Sequence, residues 1–383
     1  MDNSADSKLP TIGIIVGTRP ELIKMAPLIE QLTKISTSGS IAFDLISSGQ
    51  QRDLLQDALK SFKIEFNINL NLMSNDQTSF DFLSLAMLEF NRIFTDKRYT
   101  MIIVHGDTAT ATAAAIAAHH QRIPISHVEA GLRSGDLWAP WPEESNRRII
   151  DSISSLHFAP TTTALQVLIS EGHQETSHVT GNTVVDAVKL TLKRINSGQL
   201  APDDKLVELV ESMNNSIVLI TLHRRENFGV PLESILEKIA TLAQMDVSFI
   251  LPVHPNPNVN KIVIKKLSNI SNIKLISPLN YTDMIYLQSK VKLIITDSGG
   301  LQEEGPALGI PVLVTRDKTE RVEAVAAGSV KLVGSHGDTL IQDFEDLWLH
   351  EQSYLKMAGS ANPYGDGTAS AKIIELIRQF LQF

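Results

Sequence analysis

Short apolar runs without alternation punctuate the chain. TIGIIVG (11–17), FDLIS (43–47), MIIVHG (101–106), PISHVE (124–129) and SLHFAP (155–160) are each bounded by polar, Gly or Pro residues. A strand with one solvated face would alternate, whereas unbroken runs suit strands buried on both faces, as in parallel sheets. Helical spacing separates the runs, beginning with Pro20 to about Lys34, which predicts βαβ units. The rhythm restarts after Gly181 with SIVLITLH (216–223), VSFILPVH (247–254), IKLIS (273–277), KLIITDS (292–298) and IPVLV (310–314). The pattern predicts two Rossmann-like, doubly wound α/β domains, residues 1–183 and 184–368. The segment 369–383 has apolar positions at helical spacing and is expected to pack back on the first domain. INSGQLAPDD (195–204) reads as a polar loop. Ligands bind at the carboxyl ends of strands in such sheets, so two facing sheets would place a cleft between them and the informative residues just after the strands.

Composition narrows the function. With 383 residues and 43% hydrophobic content the chain is too long for one ordinary core. The absence of cysteine excludes disulfides, cysteine-held clusters and a thiol nucleophile. MDNSADSKLP lacks the pattern of a signal peptide, and no apolar run approaches the ~20 residues of a membrane span. A cytoplasmic protein is the expectation, with no membrane partner. A net charge of −9 gives no basic field for nucleic acid. If the ligand is an anion, arginines must be concentrated where they meet it.

The strand ends carry the candidate chemistry. GTRPE (17–21) reads as a strand-to-helix turn with Pro20 at the first helical position, or as an anion site with Arg19 at the helix mouth. Neither GxGxxG nor GxxxxGK[ST] occurs, which removes the main support for a dinucleotide or P-loop site. In TDSGGLQEE (296–304), Ser298, Gly299 and Gly300 offer a hydroxyl and unobstructed N–H groups, a diphosphate cradle. The competing reading is a helix cap with acids in its first turn. Glu304, one turn further in, could accept both hydroxyls of a ribose diol. LHRREN (222–227) sets three strong donors at a strand end, and His223 could donate to a phosphate or act as a general acid. His254 of HPNP, taken alone, reads as structural. No HExxH pair occurs, so no zinc is predicted. HGDT (105–108), HVEAGLR (127–133) and PEESNRR (142–148) bring Asp107, Glu129 and Glu143 to strand ends and a helix start. Each acid alone could be a cap, but three acids among arginines suit acid/base work on a neutral group.

GTRPELIKMAPL, HGDT, HVEAGLRSGDLWAPWPEESNRR, FAPT, TGNTVVDA, LHRREN, HPNP, DSGGLQEE and TERVEA occur in order between Gly17 and Ala324, within a likeness that runs from Gly13 to about Val333. This ordered set resembles bacterial non-hydrolysing UDP-N-acetylglucosamine 2-epimerases. The resemblance implies a GT-B-like fold with the active site in the interdomain cleft, usually a homodimer, and no redox cofactor. It implies interconversion of UDP-GlcNAc and UDP-ManNAc by elimination of UDP to a glycal and re-addition, serving surface polysaccharide synthesis. It assigns Asp107, Glu129, Glu143 and His223 to catalysis. Arg19, Lys24, Arg147, Ser298, Gly299, Gly300, Glu304 and Arg321 would bind UDP and sugar.

Three positions depart from the family pattern. Val322 stands where TERPEA-type sequences carry Pro. The usual GQH loop reads Gly49, Gln50, Gln51, and no arginine stands near Asn75–Asp76. In the family these last two places help hold a second, activating UDP-GlcNAc; here Gln50, Arg225 and His254 are the candidates for such a site. Four other readings stay open. A hydrolysing epimerase releasing ManNAc lacks the PEE…NR and HRREN elements, and a 2-epimerase of a UDP-diacetamido-uronic acid shares most of the pattern. The three-acid cluster counts against a GT-B glycosyltransferase, and the acids together with His223 count against a binding-only regulator.

Overall fold

The structure, a computed structural model, describes residues 9–74, 76–224 and 227–383, without the side chains of 52–54. Two compact units emerge: one runs up to Ala187 and includes Gly365–Phe383, the other is Val188–Tyr364.

The first unit is built from β1 (Thr11–Val16), α1 (Arg19–Thr37), β2 (Ala42–Ser47), α2 (Arg52–Phe62), β3 (Ile68–Asn69), α3 (Ser79–Asp96) and β4 (Met101–His105). It continues with α4 (Ala109–His120), β5 (Ile125–Val128), α5 (Glu143–Ile153), β6 (Leu156–Ala159), α6 (Thr162–Ser170), β7 (Ser177–Val179) and α7 (Thr183–Asn196), in which the unit boundary falls. Its described strands form one parallel sheet in the order β3-β2-β1-β4-β5-β6-β7. Every residue of β4, β5 and β6 is buried, which is why these runs do not alternate. The alanine-rich α4 packs closely against α3 and α5, its small side chains buried with Phe82, Phe90 and Phe94. At Gly17 a Cβ would collide with the Ser48 and Thr110 hydroxyls, so the turn after β1 accepts only glycine.

The second unit comprises α8 (Asp204–Glu211), β8 (Ile217–Thr221), α9 (Val230–Leu242), β9 (Ser248–Pro252), α10 (Pro257–Leu267), β10 (Ile273–Ile276), α11 (Tyr281–Gln288) and β11 (Val291–Thr296). It ends with α12 (Leu301–Ala307), β12 (Val312–Val314), α13 (Val322–Ala327), β13 (Val330–Leu332), α14 (Leu340–Leu349) and α15 (Glu351–Ala358). Its sheet, also parallel, has the order β10-β9-β8-β11-β12-β13. Its core joins Val218, Ile220, Phe249, Leu251 and Ile295 of the sheet to Ile235, Ile239 and Phe344 of the helices.

The last helix, α16 (Ala369–Leu381), lies against α1 in the first unit, with Ile373, Ile374 and Ile377 buried. Asp186 of α7 accepts the Ala369 and Ser370 N–H groups at 3.2 and 2.8 Å and so caps its start. Val322, in the place of the family's Pro, is the first residue of α13 and is exposed. Strands β3, β7 and β13 were not expected. They are two or three residues long and lie at or next to sheet edges, so they carry no apolar run of their own. In each sheet the strand order reverses beside the first strand, between β1 and β4 and between β8 and β11. Those switch points are where such sheets hold ligands.

Candidate active site

The turn after β1 is held by a buried carboxylate. Glu21 Oε2 accepts the Gly17 and Thr18 N–H groups at 2.9 and 2.7 Å and the Thr18 hydroxyl at 2.8 Å. Its Oε1 takes the Thr108 hydroxyl at 2.6 Å, tying β1 to the start of α4. Burial pushes the Glu21 carboxyl up, against the pull of these donors. Thr18, reciprocally bonded with Glu21, caps α1. Arg19 is therefore the first helical residue and Pro20 the second, one position later than expected. The Arg19 backbone N–H is taken by Gln51 Oε1 at 3.1 Å, while its Nε is buried without a hydrogen-bond partner among the described residues.

Lys24, one turn further along α1, reaches the end of β5. Its Nζ lies 2.6 Å from Glu129 Oε1, which also accepts Asn182 Nδ2 at 2.9 Å. His105 Nε2 faces Glu129 Oε2 at 3.4 Å. Glu129 itself sits at φ +68, a left-handed conformation that costs a non-glycine residue about 1–2 kcal/mol. Its N–H and that of Ala130 both donate to Phe158 O, which holds the turn in place. Strain of this kind is retained where a side chain must point in one direction.

The arginines of the 127–148 stretch serve these acids. Asp107 Oδ2 accepts Arg147 Nε at 2.7 Å and lies 2.6 Å from Nη2, while Asn146 Nδ2 donates to the Asp107 carbonyl at 2.7 Å. Glu144, fully buried, accepts Arg148 Nε and Nη2 at 3.2 and 3.1 Å, Arg147 Nη1 at 3.4 Å and Ser134 N–H at 2.8 Å. Burial alone would raise the Glu144 carboxyl; the Ser134 N–H and the two guanidiniums outweigh it and hold it low. Asp151, at the other end of α5, faces His127 Nδ1 at 2.5 Å and accepts Arg133 Nη2 at 2.7 Å and Gly131 N–H at 3.2 Å. Burial opposes its charge, but His127 and Arg133 keep it far below the usual carboxylate range. His127 Nε2 in turn contacts Gly106 O at 2.8 Å. One helix thus fixes the loops that carry Asp107 and Glu129, and its own first residue is Glu143. Glu143 differs from the other two acids. Its Oε2 is buried and has no hydrogen-bond partner among the described residues.

The second unit assembles a set of its own. Asp297, fully buried after β11, accepts His223 N–H and Arg224 N–H at 2.9 Å each and Asn227 Nδ2 at 3.2 Å. Its Oδ1 lies 3.2 Å from His223 Nδ1, and the His223 ring stacks on His254 at 5.8 Å between centroids. Burial pushes the His223 imidazolium down; Asp297 opposes this, and His254 and Arg224 add to it. A Cβ on Gly299 would stand 3.4 Å from Arg224 Nη2 and 3.8 Å from Arg321 Nη2, so two guanidiniums overhang this glycine. Arg321 Nε also donates to Glu303 Oε1 at 2.9 Å. The cap reading of Ser298 does not hold: α12 is capped at Gly300, without a side-chain bond. The Ser298 N–H is committed to Thr296 Oγ1 at 2.8 Å. Glu304 Oε2 accepts Gln288 Nε2 at 2.7 Å.

Comparison with known proteins decides the family. The family model described as UDP-N-acetylglucosamine 2-epimerase matches residues 33–378. The chain belongs to the UDP-N-acetylglucosamine 2-epimerase family. It is 43% identical over 371 residues to the Campylobacter jejuni UDP-N-acetylglucosamine 2-epimerase, covering 95% of this chain and 96% of that one. The structure of the Neisseria meningitidis UDP-GlcNAc 2-epimerase bound to UDP-GlcNAc aligns with TM-score 0.86 and 41% identity, over 96% of this chain and all of that one (100%). The Methanocaldococcus jannaschii UDP-GlcNAc 2-epimerase in complex with UDP-GlcNAc and UDP aligns with TM-score 0.79 and 32% identity, over 96% and 99%. The family resemblance in the motifs and the GT-B-like α/β fold class both hold.

Within this epimerase framework, several residues escaped the sequence reading. Asp297 lies inside a quoted motif, and its signal is an acid just after β11, which pairs with β8, the strand that His223 follows. Asn182 lies inside TGNTVVDA and Arg224 among the three donors of LHRREN, though neither was singled out, and Gln288 lies outside every quoted motif. Gln50 accepts the Thr110 hydroxyl at 2.7 Å, and His254 Nδ1 accepts the Asn256 N–H at 3.2 Å. Arg225 and Asn75 lie outside the described residues. No helix among the described residues is long and apolar enough to cross a membrane.

Proposed function

We propose that the protein reversibly epimerises UDP-GlcNAc to UDP-ManNAc at C2 without net hydrolysis, supplying ManNAc units for surface polysaccharide. A nucleotide sugar calls for both kinds of groups. Arg224, Arg321, the Ser298 hydroxyl and the Gly299 and Gly300 N–H groups take the diphosphate, with Arg19 as a further cation. Glu304 takes the ribose diol. Asp107, Glu129 and Glu143 serve the sugar.

The observation that carries the reading is the division among the three acids. Asp107 and Glu129 are already engaged as carboxylates, Asp107 by Arg147 and Glu129 by Lys24 and the Asn182 amide. They act as fixed anions that favour positive charge at C1. Glu143, whose buried carboxyl oxygen has no hydrogen-bond partner among the described residues, is the group suited to take the proton.

The C2 proton of the sugar has no adjacent carbonyl to acidify it. Breaking the C1–O bond sends its electron pair to UDP and leaves C1 cationic. The C2–H electrons then form the C1=C2 bond, and the proton passes to Glu143. Glu143 passes its proton to solvent, and re-addition brings a solvent proton to C2 on the other face and the UDP oxygen back to C1. His223, held by Asp297, donates to the departing phosphate. Electrostatic donors on that phosphate contribute about 3–4 kcal/mol each if they behave as oxyanion-hole groups.

The test is product identity. Incubation with UDP-GlcNAc, and separately with UDP-ManNAc, followed by anion-exchange chromatography, gives the same final mixture of the two. Free ManNAc accumulating with UDP overturns the non-hydrolysing reading. Turnover of a UDP-diacetamido-uronic acid in preference to UDP-GlcNAc overturns the substrate.

A further inference from the structure

His127 lies inside β5, fully buried, and both its ring nitrogens face acceptors. Nε2 stands 2.8 Å from Gly106 O, and Nδ1 stands 2.5 Å from Asp151 Oδ1. A carbonyl only accepts, and so does Asp151, which is held ionised far below the usual carboxylate range. The ring therefore donates from both nitrogens. One donation ends on the peptide group that enters Asp107. The peptide group that leaves Asp107 is held as well, because Asn146, also buried, donates from Nδ2 to the Asp107 carbonyl at 2.7 Å. Gly106 itself gives its N–H to Val128 O at 2.9 Å and then turns the chain at φ +63. Two planar peptide groups meet at each Cα, and together they set the direction of its side chain. With both held, the Asp107 carboxylate leaves the backbone in one direction, where Arg147 Nε meets Oδ2 at 2.7 Å.

We propose that His127 and Asn146 are positioning residues that clamp the peptide groups on either side of Asp107 and so hold its carboxylate where positive charge develops on the sugar. The proposal rests on the acid reading of Asp107 above and adds to it what keeps that acid in place. A displacement of about 1 Å at a reacting group can cost on the order of 10²-fold in rate. The other contact of His127 serves the fold instead: Asp151 ties the ring to α5.

Two substitutions separate these contacts. Glutamine can set its Nε2 where the ring Nε2 stands and keep the bond to Gly106 O without that to Asp151. Asparagine can set its Nδ2 where Nδ1 stands and keep Asp151 without Gly106 O. The experiment measures kcat with UDP-GlcNAc for the unmodified protein, His127→Gln, His127→Asn and Asn146→Ala, each per UDP-binding site counted by calorimetry, so that unfolded protein is not scored. His127→Asn and Asn146→Ala lower kcat by about 10²-fold and His127→Gln by about tenfold or less, while UDP affinity stays within about threefold of the parent. The same substitutions made in Asp107→Asn each cost a further threefold or less, roughly, because the group they position is already gone. His127→Gln falling as far as His127→Asn overturns the proposal, as does an undiminished loss in Asp107→Asn. Asn146→Ala carries this second test should neither His127 variant fold. Parental turnover in Asp107→Asn, or no UDP binding by the unmodified protein, overturns instead the reading on which the proposal rests.

Discussion

Replacing Asp297 with Asn tests how the second unit arms His223. The carboxylate is fully buried, with Oδ2 accepting three donors: His223 N–H, Arg224 N–H and Asn227 Nδ2. Asparagine can keep its oxygen in that position and so retain these bonds. Its NH₂ group then faces His223 Nδ1, which stood 3.2 Å from Oδ1. A donor there forces Nδ1 to accept, and the neutral ring must carry its proton on Nε2. The ring can still offer a neutral Nε2–H to the phosphate, but the imidazolium that would give up a proton there loses its counter-charge. A comparable change in a Ser-His-Asp triad lowers kcat by roughly 10⁴-fold; here the histidine assists a leaving group rather than a nucleophile, so a fall of about 10²–10³-fold in kcat is expected. UDP affinity should change by less than about threefold, because the guanidiniums over Gly299 are untouched. The pH profile supplies a second reading. Asp297 raises the His223 value against burial, His254 and Arg224. Catalysis needs the protonated ring, so activity is lost as pH rises through that value, and the variant moves this limb to lower pH. Initial rates across pH, with calorimetric UDP binding, measure both. Near-normal kcat, or kcat and UDP affinity falling together with an unmoved limb, would refute the reasoning.

Other outcomes follow from the same geometry. Glu129→Gln and Glu143→Gln each lower turnover by at least about 10²-fold while UDP affinity, measured by calorimetry, stays close to the parent. Gln51 already spends its carbonyl on the Arg19 N–H, and Asp76 would repel a diphosphate; the loss of a charged contact there is worth about 1.5–3 kcal/mol. Initial rates from UDP-ManNAc are therefore the same with and without trace UDP-GlcNAc, and a reaction silent until UDP-GlcNAc is added contradicts this. Arg133→Leu leaves Asp151 with a buried charge less well paired and lowers stability by about 3–5 kcal/mol in urea titration at neutral pH. Because Asp151 is held below its unfolded value, the stability it contributes is present at neutral pH and lost on acidification. The gap between parent and Arg133→Leu should accordingly narrow as pH falls below the ordinary carboxylate range.

The central strands were legible because burial on both faces writes an unbroken apolar run, as in MIIVH of β4. β3 escaped because two residues paired at a sheet edge leave no such trace. The candidate acids were legible for a similar reason: Asp107 and Glu129 follow strands, and Glu143 opens a helix. What makes them different from one another was not. Lys24 meets Glu129 across 105 residues, Arg147 meets Asp107 across 40, and Asp297 meets the His223 N–H across 74. Those pairings depend on which strands lie side by side and in what register, a property of the folded sheet rather than of any local stretch. The arginines of 127–148 illustrate the consequence. Nothing local showed that Arg133, Arg147 and Arg148 would sit on carboxylates of their own unit, as the structure places them.

Exchange at C2 tests the central claim most directly. The protein is incubated with UDP-GlcNAc in D₂O, and the nucleotide sugars are read by proton NMR. Elimination and re-addition predict that UDP-ManNAc forms with deuterium at C2, and that the returning UDP-GlcNAc gains it as well. UDP-ManNAc that retains its original hydrogen at C2, or free ManNAc with no UDP-ManNAc, would contradict the account.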